Sequence, residues 1–195
     1  PDEILFENDK NKIIVETRNL AIKKAEELNM THIFFWDADV YIPYDTLLKL
    51  TKINDDEYPI TSGLVPYKDD FNRWMAFKIR DDVKNLNEFE ERLKQMSDLE
   101  AEDYCSNWDV RNINIGCYKD AKLQNDIEIV DATGNGCLLV RTDVAKKVKY
   151  EPADGIAKYF GTEDLFWFFK LNKLGYKVKV DTTIKCRHLS LGRVY

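Results

Sequence analysis

The chain has 195 residues, 44% hydrophobic and 12% aromatic, enough for one domain with a real core. Its net charge is −6, and its acids are dispersed with no basic cluster among them, which argues against nucleic acid polymers as partners. No apolar run approaches the length of a transmembrane segment, and Cys105, Cys117, Cys137 and Cys186 lack the close spacing of a zinc site or disulfide framework, so reduced thiols in a cytoplasmic compartment are expected.

From the N-terminus, residues 1–6 suggest a short strand and residues 7–12 a polar turn. Ile14, Ala21, Ala25 and Leu28 then recur at helical spacing among Lys and Glu, predicting an amphipathic helix that ends near Asn29. Arg18 and Asn19 fall in its early turns; a helix start facing a sheet's ligand edge makes an anion site. Ile33, Phe34, Phe35 and Trp36 form a continuous apolar run, as in a strand buried on both faces. The run stops at two carboxylates, Asp37 and Asp39, separated by Ala38. An extended backbone would point both to one side, about 6–7 Å apart, beyond the strand's carboxyl end, where open α/β sheets bind ligands. Hard oxygen ligands there suit Mg²⁺ or Mn²⁺ with a phosphorylated substrate. The same two residues equally suit a turn or a helix cap ahead of Pro43.

Residues 44–53 read as a short helix, 58–64 as a strand, 66–70 as a loop and 74–79 as a strand. Over 81–104, Val83, Leu86, Phe89, Leu93, Met96 and Leu99 step by three and four along a charged segment, predicting one helix with an acidic outer face packed on the domain's side. Residues 107–126 have no strong periodicity. A strand over 127–132, a glycine turn over 133–137 and an extended stretch over 138–141 follow, and Thr142 is a plausible cap for a helix through Val148. After a loop over 151–160, Gly161 to Asp164 open an apolar helix over 165–174, closed by Gly175. Residues 176–181 alternate as a strand, and 183–188 continue toward the ligand edge. Without repeats or linkers, this is one domain.

Three further features bear on chemistry. Gly134 and Gly136 around Asn135 let the backbone approach a ligand, or simply make a turn. Glu163 and Asp164 are favoured at a helix start by its dipole, yet an Asp in a cleft also acts as a general base. His188, one of two histidines, is structural by default, while imidazole also completes metal sites begun by carboxylates.

In succession, R-N at Arg18–Asn19, D-A-D at Asp37–Asp39, T-G-N-G-C-L-L-V-R at 133–141, T-E-D-L-F-W at 162–167, L-G-Y-K-V-K-V-D at 174–181 and the final His188 resemble the GT-A glycosyltransferases of the family-2-like group, over nearly the whole chain. The resemblance implies an α/β, GT-A (Rossmann-like), mixed and mostly parallel sheet flanked by helices, in one catalytic domain over 1–195. It implies transfer of a sugar from a nucleoside diphosphate sugar, UDP by family frequency, to a hydroxyl of a glycan or glycoprotein, with Mn²⁺ or Mg²⁺. Asp37 would contact the ribose or a metal-bound water, Asp39 and His188 would ligate the metal, and Arg18 would help hold the nucleotide. The Gly134–Asn135–Gly136 turn would shape the sugar and acceptor pocket. Asp164, with Glu163 beside it, would be the acid–base residue, an arrangement that favours inversion, or gives retention if Asp164 lies on the leaving-group side of the sugar.

The chain departs from that pattern twice. About 13 residues precede the Arg18 helix, so the first strand-helix unit would be missing, as in a piece of a longer chain with other domains. Residues 81–104 are longer and more acidic than the pattern, which suggests a helical insertion on the acceptor side. Two other classes place D-x-D after an apolar strand or on this fold. A haloacid-dehalogenase-type phosphatase wants Thr or Val where this chain has Tyr41, and a downstream Lys and acidic pair that is not evident. A non-catalytic nucleotide-sugar-binding domain would retain the fold alone.

Overall fold

A computed structural model describes residues 2–68, 73–109, 112–190 and 193–194. The expected strand over 1–6 and turn over 7–12 are instead the start of one helix, α1 (Asp2–Glu27). Nothing in those residues after Pro1 breaks a helix, so it runs back from the amphipathic stretch without interruption. Its end comes close to the predicted place. Asn29 is left-handed (φ 52°), Met30 N–H donates to the Ala25 carbonyl at 2.8 Å and Asn29 N–H to that of Glu26 at 3.0 Å, a Schellman closure. The buried stripe is Val15, Arg18, Ile22 and Ala25, one residue out of phase with the expected Ile14 and Ala21, and Leu28 is exposed.

The main sheet has the order β1 (His32–Trp36), β10 (Cys137–Arg141), β3 (Ile60–Leu64), β11 (Val178–Lys185) and β8 (Ile127–Val130). Strands β1, β3 and β11 point one way and β10 and β8 the other, so only the β3–β11 ladder is parallel. The sheet is therefore mixed, as expected, but not mostly parallel. The glycine turn feeds β10 between β1 and β3 in the opposite sense and so splits the pair that the crossover helix α2 (Thr46–Ile53) would otherwise set side by side.

Within residues 107–126, where no period was visible, three short strands belong to a second, antiparallel sheet. Its order is β5 (Ser106–Asp109), β6 (Asn112–Ile115), β7 (Tyr118–Asp120), β4 (Ala76–Ile79) and β9 (Ala132–Thr133). Strands of two to four residues are too short to display alternation. The predicted strand over 127–132 is divided at Asp131 between β8 and β9, in different sheets. Parts of the expected 66–70 loop and of the 107–126 segment (residues 69–70 and 110–111) lie outside the described residues. A small third sheet joins β2 (Val40–Tyr41), β12 (Arg187–Ser190) and β13 (Arg193–Val194).

The single helix expected over 81–104 is two, α3 (Leu86–Gln95) and α4 (Asp98–Cys105). Asn85 caps the first, and Ser97 with Glu100 forms a capping box that restarts the chain as a second helix, so Leu99 turns out to solvent. Phe89 and Leu93 are buried, and Phe89 meets the rings of Tyr104, Phe160 and Phe169, so the segment packs on the domain's side as predicted. Thr142 is not a cap but the first residue of the short α5 (Thr142–Ala145), which stops before Val148. A 3₁₀ turn, Gly155–Phe160, occupies the expected loop, and α6 (Glu163–Lys173) buries Trp167, Phe168, Phe169 and Leu171 before Gly175 (φ 87°) closes it. The four cysteines are buried and unbridged, and no helix among the described residues is long and apolar enough to cross a membrane.

Gly63, in the fully buried β3, shows how closely the strands that carry the site are packed. A Cβ there would sit 2.6 Å from Ile184 Cγ2 and 3.1 Å from Cys137 Sγ, joining β11 and β10 across it. Gly63→Ala is expected to cost about 1–3 kcal/mol through overpacking. An unchanged urea midpoint would show that the neighbours yield freely.

Candidate active site

The D-A-D residues stand just past the end of β1, but their backbone is not extended. Val40 N–H donates to the Asp37 carbonyl at 3.0 Å, closing a tight turn, so of the two conformations the sequence left open it is the turn that forms, without the same-side spacing of an extended backbone. Asp37 N–H in turn meets the Gly136 carbonyl at 3.4 Å, which locks the D-A-D turn to the G-N-G turn. Glycine is required at 136, since a Cβ would lie 2.9 Å from Val40 Cγ2 and 3.5 Å from Asp37 Oδ2.

Arg18 draws in the other half of the site. Its Nη1 donates to Glu163 Oε1 at 2.5 Å and its Nη2 to Asp37 Oδ1 at 3.4 Å, and its guanidinium lies 5.4 Å from the centre of the Tyr150 ring. Arg18 and Glu163 are both buried, whereas Asp37 is half-exposed. Tyr150 is fixed from three sides. Asn19 makes two 2.9 Å hydrogen bonds with its backbone, Asn135 Nδ2 donates to its hydroxyl at 2.7 Å, and Trp167 stacks on its ring at 4.8 Å.

Asp164 is held beside this cluster. Its Oδ1 accepts from Thr162 Oγ1 and from Leu165 N–H, and its Oδ2 accepts from Asn135 N–H at 3.2 Å. A carboxylate oxygen has two lone pairs, so one on Oδ2 remains for another donor.

The charges explain the titration of the group. Burial raises the pKa of Asp37; Arg18 opposes this, while Asp164 and Asp39 add repulsion. Burial and then Asp164 raise Glu163 above the usual carboxylate range despite Arg18. Burial alone would lower Arg18, but Asp164, Tyr150, Glu163 and Asp37 reverse that. One guanidinium thus serves three carboxylates.

At the outer end, Lys68 Nζ lies 2.9 Å from Asp39 Oδ2. Burial would raise the Asp39 pKa, but Lys68 and then His188 bring it below the ordinary value. His188 is opposite Val40 in the β12–β2 ladder, and Leu189 N–H donates to the Asp39 carbonyl at 2.7 Å. The imidazole is buried, and its Nδ1 lacks a hydrogen-bond partner among the described residues. Tyr67 Oη, Thr133 Oγ1 and Asn135 Oδ1 around the same turns are also buried and unpartnered there. Buried polar atoms are normally satisfied, so these four stand out around the site.

Every residue expected at the site therefore lies on one sheet edge or on the helices that meet it, in two groups. Arg18, Asp37, Gly134, Asn135, Gly136, Glu163 and Asp164 form the inner group; Asp39 and His188 form the outer one. Arg18 faces carboxylates directly. Among the described residues no three of His, Cys, Asp and Glu gather closely enough to enclose an ion. Asp39 and His188, whose Nδ1 has no hydrogen-bond partner among the described residues, bring one oxygen and one nitrogen donor to this end, the donor types that Mg²⁺ and Mn²⁺ sites use. The sequence reading missed Tyr67, Lys68 and Tyr150. The P-Y-K that follows β3 was its one available signal for the first two, and Tyr150 had none. A groove of about 660 Å³ lies at the opposite sheet edge, where Arg141 is already paired with Asp56 and Asp143.

Fold and site together define a single-domain α/β protein with a mixed sheet flanked by helices and a cluster of carboxylates around Arg18 at one edge. No protein family and no curated protein matches the sequence. Among solved structures the chain is similar to the viral protein A197 from STIV, with a TM-score of 0.56 and 14% identity, over 92% of this chain and 69% of that one. At that identity the likeness shows the fold.

Arg18→Met would leave Glu163 buried without its counter-charge and cost about 3–5 kcal/mol at neutral pH. The folded-state pKa of Glu163, already raised, would rise further. A carboxyl raised in this way stabilises the fold below its unfolded pKa and loses that contribution as pH climbs through the folded value. The deficit should narrow as pH falls from 7 to about 5. Denaturant midpoints at the two pH values test this; equal stability of variant and wild type at pH 7 would contradict it.

Proposed function

We propose that this chain is a metal-dependent glycosyltransferase of the GT-A type, moving a sugar from a nucleoside diphosphate sugar, most simply a UDP-sugar, to a hydroxyl of a glycan or glycoprotein. The observation that carries the reading is the convergence of segments far apart in sequence. Arg18, the D-A-D turn, the G-N-G turn and the start of α6 meet through direct hydrogen bonds at one edge of the sheet. An excess of carboxylate there, with unpartnered polar atoms around it, suits a cation and a diphosphate better than either alone.

Asp39 and His188 would hold the divalent ion, which when bound would supply charge neutralisation for the departing diphosphate. The protein's own groups do the rest. Asn135 N–H, Thr162 Oγ1 and Leu165 N–H fix the Asp164 carboxylate and leave a lone pair on Oδ2 to take the proton of the acceptor hydroxyl. The acceptor oxygen then bonds to the anomeric carbon as that carbon's bond to phosphate oxygen breaks, through an oxocarbenium-like state. Attack from the face opposite the leaving group inverts the anomeric centre. Arg18 works through others: it anchors Glu163 and Asp37 so that the two turns keep their spacing.

Two variants separate the roles. Asp39→Asn is expected to abolish Mn²⁺-dependent binding of the donor in a thermal-shift panel of nucleotide sugars. Asp164→Asn should keep that binding and lose about 10²–10⁴-fold in transfer, followed by NMR of the donor. Undiminished turnover in Asp164→Asn would remove it from the chemistry. Failure of every nucleotide sugar to bind, with or without Mn²⁺, would overturn the proposal.

A further inference from the structure

The two carboxylates of the D-A-D turn each carry a cationic side chain, and the two cations are held very differently. Arg18 is buried, with its guanidinium between Glu163 and Asp37 and against the Tyr150 ring. Lys68 has 54% of its side chain exposed, on a flexible stem, and meets an Asp39 side chain that is itself 44% exposed. The first is part of the framework. The second is a pair of the kind that solvent screens and that a competitor of higher charge displaces.

We infer that Lys68 is an exchangeable counter-cation of the site, which yields Asp39 to a divalent cation and then serves the diphosphate of the donor. This rests on the reading of Asp39 as a cation ligand proposed above. Lys68 follows β3 and stands next to Tyr67, whose hydroxyl is buried without a partner among the described residues and whose pKa burial raises, with Asp120 and Asp164 adding to it and Arg73 opposing. The same short stretch therefore carries one unpartnered hydroxyl and one ammonium beside Asp39. An ammonium is a compact point charge that binds phosphate without needing a planar fork. Once parted from Asp39 it stays tethered at the mouth of the cleft, where a bound diphosphate brings the nearest new negative charge.

The inference makes two predictions of opposite sign for one substitution. Without Lys68, Asp39 is open, so a divalent cation alone binds more tightly. Without Lys68, the diphosphate lacks a positive partner, so a nucleoside diphosphate binds more weakly even when the cation is saturating. A lysine that merely braced its loop would weaken both steps or neither.

The test is calorimetric titration of the full chain, first with Mn²⁺ alone and then with UDP at saturating Mn²⁺, for wild type, Lys68→Met and Lys68→Arg. Lys68→Met should bind Mn²⁺ about three- to tenfold more tightly and UDP about tenfold more weakly, the scale of one unit charge at the mouth of a solvated cleft. Lys68→Arg, which keeps the charge, should restore UDP affinity to near the wild-type value. Mn²⁺ affinity that is unchanged or weaker in Lys68→Met overturns the role of Lys68 and leaves Asp39 as a cation ligand. Unchanged UDP affinity in Lys68→Met overturns it as well. If wild type and both variants take up no Mn²⁺, the cation reading of Asp39 falls and this inference falls with it.

Discussion

The hydrogen bonds of one buried arginine hold this site together. Arg18 comes from the middle of the first helix, Glu163 from the start of the sixth and Asp37 from the end of the first strand, and a single guanidinium spans all three. Asn19, the next residue, ties the same helix to the backbone of Tyr150. A planar donor fork is suited to this, because it satisfies two carboxylates from fixed directions and keeps its charge at any accessible pH. Hydrophobic packing on Trp167 and Phe35 sets Tyr150 beneath it. The glycine turn then closes the ring, with Gly136 against Asp37 and Asn135 against both Asp164 and Tyr150.

That arrangement leaves the cleft short of positive charge. Asp37, Glu163 and Asp164 share one guanidinium, and burial makes each unbalanced charge more costly than it would be in water. The inner carboxylates are held by buried protein donors, while Asp39 at the outer end meets the exposed Lys68 side chain. The two carboxylates of the turn thus differ within a few residues of sequence: Asp37 meets the buried Arg18, and Asp39 meets the exposed Lys68.

The order of motifs was legible because each depends on local chemistry: a strand's end, a glycine turn, a helix start. Helix α6 and its closing Gly175, much of the strand β11 and the side packing of residues 81–104, though not their division into two helices, were legible in the same way. What sequence could not supply was direction and distance. The antiparallel entry of β10 is set by which strands it lies between, and no residue of C-L-L-V-R records that. The D-A-D residues suited an extended strand end and a turn equally, and the choice of the turn goes with contacts from Gly136 and β12, far along the chain. The N-terminal residues misled for a different reason. A short apolar run resembles a strand, and only its unbroken continuity with a helix decides otherwise. Lys68 and Tyr150 were invisible because their importance comes entirely from contacts with residues distant in sequence.

The most direct test of the account is an anomalous difference map from crystals soaked with Mn²⁺ and UDP. The account predicts a manganese peak against the Asp39 carboxylate, with His188 and the diphosphate beside it and Arg18 still holding Glu163. A peak elsewhere, or an Asp39 side chain still paired with Lys68 under saturating Mn²⁺, would contradict it.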